Sequence, residues 1–208
     1  MAAVLGRPRT FDRDKAIQQA MHLFWQHGYE STSLNMLKAS IGNGISAPSF
    51  YAAFGSKKAL FQECVELYLS THARGMEILW EADLAPRDAI ETALRNSAKM
   101  QCEQGHPKGC MVGLSIMTAP SEESAAVTEP LMRSRARARA GFTFCISRGV
   151  DSGELGANTD INALASVFYS FLMGLSTLAR DGVCHDLMDT AISHIMLVWD
   201  ANASQRVF

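Results

Sequence analysis

The sequence predicts an all-α protein, and three observations carry that expectation. Apolar residues recur at spacings of three and four along most of the 208 residues. Alternating strand patterns are missing, and the one Asn-Gly pair, Asn43-Gly44, lies between helical patterns rather than between apolar strands. A hydrophobic fraction of 48% beside 19% charged residues is a globular balance, which excludes disordered and fibrous classes.

The first helix is predicted over residues 13–27, with Ala16, Ile17, Ala20, Leu23 and Phe24 as its inner stripe, Asp12 as N-cap and Gly28 as stop. A short second helix over residues 33–41 turns Leu34, Leu37 and Ile41 inward, with Thr32 or Ser33 to cap it. The stretch GISAPSFYAAFGSKKALF then places a third helix after Ser46, a good N-cap. Pro48 sits in its first turn, where its missing N–H is harmless, Phe50 and Phe54 share one face, and Gly55 ends it. Ser56 caps a fourth, in which Leu60, Phe61, Val65 and Tyr68 face the first helix. Longer helices are predicted over residues 70–81, 87–104, 112–119, 124–149, 160–181 and 186–202, broken at Pro86, at Gly105–Gly109, at Pro120 and at two polar loops.

The charge is uneven. Residues 1–58 hold seven basic side chains against three acidic ones, a local +4 within a chain of net charge −2, so the remainder carries −6. A basic end on an acidic body points to a polyanion met by the first segment. The third helix has an outer face unlike that of a solvated core helix. Ala47, Ser49, Tyr51 and Ala52 point largely outward, so the backbone is open to close approach, as a helix entering the major groove of DNA requires. Tyr51, Lys57 and Lys58 are suited to phosphates, as are the N–H groups that open the second and fourth helices near Thr32, Ser33 and Ser56.

With those residues in view, the first segment resembles the DNA-binding domain of TetR/AcrR-type transcriptional regulators. LFWQHGYESTSL followed by SFYAAFGSKKALF is similar to that family's ordered run of Phe, Gly-Tyr, Thr, Tyr, Phe, Lys and Leu. The resemblance implies a DNA-binding domain over residues 1–69 and an effector-binding and dimerisation domain over residues 70–208. It implies DNA contacts at Ser46, Ala47, Pro48, Ser49, Tyr51, Lys57 and Lys58, at Thr32 and Ser33, and from a basic arm at Arg7 and Arg9 that reaches the minor groove. Gly42-Asn43-Gly44 departs from the pattern as a turn about two residues longer than usual. The helix has no Arg, Asn or Gln for bidentate base readout, so specificity is expected to lean on Ser and Ala contacts, the arm and DNA shape.

The resemblance further implies a homodimer, paired through helices near residues 160–181 and 186–202, and a repressor released from its operator by an unidentified small molecule. The charge-free run from Ile161 to Ala179 is borderline for a bilayer span, which takes roughly 20 apolar residues. It reads as a helix buried in protein at a subunit interface, and MAAVLGRPR is no secretory signal, so a cytoplasmic protein without a membrane partner is expected. No nucleophile-base grouping, His-Glu-x-x-His or phosphate-binding Gly loop is present, which predicts neither an enzyme nor a cofactor.

Two alternatives remain open. Cys102, His106 and Cys110, with Met111 and Met117 beyond, have the chemistry of a metal or thiol-redox sensor, although half-buried thiols around a His-Pro turn are the plainer reading. A helical ligand-binding protein that no longer binds DNA is the other. Cys64, Cys145 and Cys184 are expected to pack, and Arg133, Arg135, Arg137 and Arg139 to form a solvated surface facing acidic neighbours, with an anionic ligand or a partner as the alternative.

Overall fold

Each predicted N-cap near the start of the chain holds its helix. The computed structural model describes residues 12–115 and 121–204, with backbone alone at Glu122 and Glu123. Asp12 accepts the Lys15 N–H at 3.0 Å and opens α1, Arg13–Ser31, which breaks at Gly28 (φ 77). Ser33 accepts from Met36 and opens α2, Leu34–Ser40. Ser46 accepts from Ser49 and opens α3, Ala47–Phe54, while Ser56 accepts from Ala59 and opens α4, Lys57–Ser70. Helices as short as α2 and α3 are marginal in isolation. They persist because Leu37, Ile41, Phe50 and Phe54 are buried, and each such side chain contributes about 1.5–3 kcal/mol.

The lengthened turn is built as a 3-10 turn, Ile41–Asn43. Gly42 (φ 58), Asn43 (φ 67) and Gly44 (φ 100) take consecutive positive φ values, which Gly and Asn tolerate best. Ile41 stays in the core, Ile45 N–H returns to Lys38 O at 2.9 Å, and Gly42 N–H bonds Gln19 Oε1 of α1 at 3.1 Å. The extra residues thus bulge outward and are tied at both ends.

The remaining α-helices are α5 (Pro86–Cys102), α6 (Met111–Leu114), α7 (Glu122–Asp151), α8 (Ile161–Arg180) and α9 (His185–Ala201). No strand occurs among the described residues, only an isolated bridge between Leu155 and Ala203. Two expectations need correction. Residues 70–81 do not form an α-helix: Thr71 leaves the helical region, its Oγ1 turns back to Leu67 O, and a 3-10 helix, His72–Trp80, runs on along α5. Gly75 lies so close to α5 that a Cβ there would come within 3.1 Å of Asn96 Cβ. The helix predicted over 112–119 is only the short α6, with residues 116–120 outside the described region. In α1, the inner stripe also includes Met21 and Trp25, both fully buried, whereas Leu23 is half-buried.

The core has two clusters. One joins α1 to α4 with Met111, Val112, Val127 and Leu131; the other joins α5, α7, α8 and α9 around Phe142, Phe168 and Trp199. Helix α8 is long and apolar enough to cross a membrane by length and composition. Its Leu164, Phe168, Leu172 and Leu175 are instead buried in the second cluster, as a core helix of a folded domain would be.

Candidate nucleic-acid interface and cavity

The α3 surface follows from its inner face. Phe50 and Phe54, ring centroids 5.4 Å apart, anchor one side, so Ser46, Pro48, Ser49, Tyr51 and Ala52 reach solvent, Tyr51 with 51% of its surface exposed. Ala47 is half-buried, less open than its neighbours Pro48 and Ser49. Ser46 and Ser49 hydroxyls lie 2.9 Å apart, each within reach of the same approaching group.

The flanking residues divide. Ser33 and Lys58 are exposed. Thr32 is fully buried, and its hydroxyl donates to Gly28 O at 2.6 Å, so its side chain closes the end of α1 and does not face outward. Lys57 is half-buried, its ammonium 4.4 Å above the Tyr29 ring centroid, and burial holds its pKa below the ordinary lysine value. Arg7 and Arg9 lie outside the described residues.

The three sensor candidates do not converge, and no metal-binding group of His, Cys, Asp or Glu occurs among the described residues. Cys102 Sγ lies 3.6 Å from Met188 Sδ, and burial raises its pKa. His106 stacks on Trp25 at 4.6 Å between ring centroids. Cys110 caps α6: its Sγ accepts from Gly113 N–H at 3.3 Å and from the Tyr68 hydroxyl at 3.2 Å. Cys64 and Cys145 are buried as expected, and burial raises both thiols, Cys145 to about 11. Cys184 is exposed at the start of α9, contrary to expectation, because that position lies on the outer side of the α8–α9 loop.

A cavity of about 320 Å³ opens between α4, the 3-10 helix and α5 to α8. Its lining is mostly apolar and includes Met76, Trp80, Met100, Tyr169 and Met173, with the Cys110 residue on one side. Such a volume is at the small end for a ligand site. Arg133, Arg135 and Arg137 also border it; Arg137 is bidentate to Glu77 and stacked over Trp80, Arg133 pairs with Glu129, and Arg135 holds the Val112 and Gly113 carbonyls. Among the described residues, Arg133 and Arg137 thus face acidic neighbours.

Between the two regions stands Trp25, which the sequence pattern passed over. Its indole N–H donates to Gly109 O at 3.0 Å, and Tyr68 and His72 rings lie at 4.8 and 5.0 Å. Tyr68 is fully buried with its hydroxyl accepting the Met111 N–H at 3.2 Å, and burial raises its pKa well above the usual value. Burial first, then the nearby His106, lowers the pKa of both His22 and His72. A period of four from Ile17 through Met21 to Trp25 was the available signal for Trp25; nothing in the sequence marked its partners.

A helix-turn-helix unit mounted on a larger helical body defines a class, that of DNA-binding transcriptional regulators. Residues 16–64 match the profile described as bacterial regulatory proteins, tetR family. Over 196 residues the chain is 29% identical to the HTH-type transcriptional repressor ComR of Escherichia coli K12, covering 93% of this chain and 91% of that one. It is 30% identical over 179 residues to the HTH-type transcriptional regulator YezE of Bacillus subtilis 168, covering 85% and 90% respectively. A solved structure of a cysteine mutant of the TetR family transcriptional regulator CifR, complexed with 26-bp double-strand operator DNA, is 36% identical. It superimposes with a TM-score of 0.79 over 93% of this chain and 100% of that chain. The chain belongs to the TetR family of bacterial transcriptional regulators.

Proposed function

We propose that the protein is a cytoplasmic, homodimeric repressor that reads operator DNA with residues 1–69 and is released by a small molecule held in residues 70–208. The observation that carries this reading is the outer face of α3, where small side chains and an exposed Tyr51 stand on a buried Phe50–Phe54 base. Ser46, Ala47, Pro48, Ser49 and Tyr51 face the groove, and Ser33, the α4 start, Lys57 and Lys58 hold phosphates beside the Arg7 and Arg9 arm. Thr32 contributes through its backbone and by fixing the α1–α2 corner. Lys58 is the more open of the two lysines and the stronger phosphate candidate.

Dimerisation through α8 and α9 is supported by Val167, Leu178, Leu187 and Leu197, large apolar side chains left exposed on those helices. Two copies joined there would present two α3 helices to a palindromic site. The effector is an apolar molecule that fits the cavity of about 320 Å³. Its binding and operator binding are linked through one two-state body, so each weakens the other equally.

The test is salt-dependent binding to fragments of the protein's own upstream region, with Tyr51→Ala/Lys58→Ala as comparison. Tight binding whose logarithm falls steeply with that of salt, and which collapses in the double variant, is expected. Binding that ignores the double variant would remove the reading.

A second reading concerns how the effector is sensed. Cys110 Sγ, held by two hydrogen bonds, belongs to a cavity-lining residue, whereas Cys102 packs on Met188. A thiol-directed effector held in the cavity would act at Cys110, and unchanged release by Cys110→Ser would exclude it.

A further inference from the structure

We infer that Arg180 is a positioning residue, a strut that sets the angle of the helix-turn-helix unit on the dimer body; this rests on the dimeric operator reader proposed above. Arg180 is the last residue of α8. Its three guanidinium nitrogens reach three backbone carbonyls: Nε donates to Lys108 O at 3.0 Å, Nη1 to Gln26 O at 3.3 Å and Nη2 to Trp25 O at 3.2 Å. Trp25 and Gln26 lie in the last turn of α1 before its break at Gly28, where helix carbonyls lack partners of their own and the helix end carries partial negative charge. A planar fork of donors fits such a cluster, which a point charge would not.

Arg180 takes part in none of the ion pairs among the described residues, and burial alone shifts its pKa, downward. The cation is therefore spent on the backbone of another unit. Helix α1 packs chiefly on α4, with lesser contact to α2, α6 and α7; α8 has no comparable packing with it. The guanidinium joins the proposed dimer helix directly to the first helix of the DNA reader.

The same joint touches the cavity. Ser176, one turn before Arg180 on α8, lines it, and a Cβ on Gly109 would fall 2.8 Å from Ser176 O and 3.7 Å from Arg180 Nε. The loop that carries Lys108 and Gly109 is thus clamped between α8 and Trp25, whose indole bonds Gly109 O. A shift of α8 at Ser176 moves the strut, and with it the end of α1.

The experiment uses the full-length Arg180→Gln variant, which shortens the side chain and removes the charge. The two copies are spin-labelled at residue 58 through an introduced keto amino acid, and their separation is measured by pulsed electron resonance without DNA. In parallel, binding of the unlabelled proteins, with Lys58 intact, is measured to operators whose half-site separation is varied around the helical repeat. The wild type is expected to give a narrow distance distribution and about tenfold discrimination between the best spacing and one two base pairs longer. Arg180→Gln is expected to stay dimeric, broaden the distances and cut that discrimination to about threefold or less. A purely structural role would lower the melting temperature and leave both readouts alone. Should the Gln variant not fold, Arg180→Lys, which keeps the cation but loses the fork, is read in the same way, with intermediate broadening expected. Wild-type distances and spacing preference in either folded variant overturn the strut. A wild type that binds no operator defeats the DNA-reader reading instead, while the label distances still judge Arg180.

Discussion

Replacing Tyr68 by Phe removes one oxygen atom from the joint between α4 and α6 and keeps the ring. Tyr68 is fully buried; its hydroxyl donates to Cys110 Sγ and accepts from Met111 N–H, each at 3.2 Å. The ring contacts with Trp25 at 4.8 Å and His72 at 5.5 Å survive the change, so packing is conserved. What remains is a buried Met111 N–H without its acceptor, which costs about 1–3 kcal/mol, while the lost bond to sulfur adds little. At about 2–4 °C per kcal/mol for a chain of this size, the melting temperature should fall by about 2–12 °C. Thermal unfolding followed by circular dichroism, at fixed protein concentration, measures that fall, and urea unfolding measures the free energy. Tyr169→Phe is the control, since the Tyr169 ring lines the cavity and its hydroxyl has no hydrogen bond among the described residues. A loss under about 0.5 kcal/mol for Tyr68→Phe, or an equal loss for the control, would refute the claim that this hydroxyl is a buried tie rather than a spectator.

Acid should destabilise the protein through His22 and His72. Burial lowers both pKa values from the ordinary 6.5, so the unfolded chain takes up protons first and stability is lost as pH falls below about that value; His72→Asn should flatten the decline in a pH series of melting curves. Gly109→Ala should cost about 2–4 kcal/mol in the same assay. Its φ is +82° and the new Cβ would sit 2.5 Å from Leu114 Cδ1 and 2.8 Å from Ser176 O, whereas Gly105→Ala, strained at φ +92° but in open space, should cost only about 1–2 kcal/mol. Leu187→Glu with Leu197→Glu places charges on the two most exposed apolar side chains of α9, each 59% exposed, and should turn a dimer into a monomer by sedimentation while leaving helix content unchanged.

Much of the DNA-facing unit was legible from local chemistry. Ser33, Ser46 and Ser56 each stand immediately before their helices, and a serine hydroxyl in that place has a nearby N–H to accept whatever the rest of the chain does. Phe50 and Phe54 are four apart, so a helix through them must bury both or neither. Thr32 shows the limit of such reading. Threonine can cap as serine can, yet Thr32 is fully buried with its hydroxyl bonded back to Gly28 O, and Ser33 is the residue that caps α2.

The cavity and joint were less accessible. Met100 and Met173 border open space while Phe142 and Phe168 fill the core, yet all four occupy similar apolar positions along amphipathic helices. Cys102 and Cys110 are eight residues apart and suggested a pair. The loop from Glu103 to Gly109 instead sends one to Met188 of α9 and the other to Tyr68 of α4.

Sequence by itself determined what depends on residues within a turn or two of each other: the all-helical class, the caps and stops, the small-residue face of α3 and the order of motifs that marks the family. Tertiary structure alone decided which distant groups meet: Arg180 with the end of α1, Trp25 with Gly109, Tyr68 with Met111, and the walls of the cavity. The reason is physical. A cap or an apolar stripe is satisfied by neighbours at fixed helical spacing, whereas a buried donor or a void is defined by chain segments up to 155 residues away, whose meeting depends on how every helix packs.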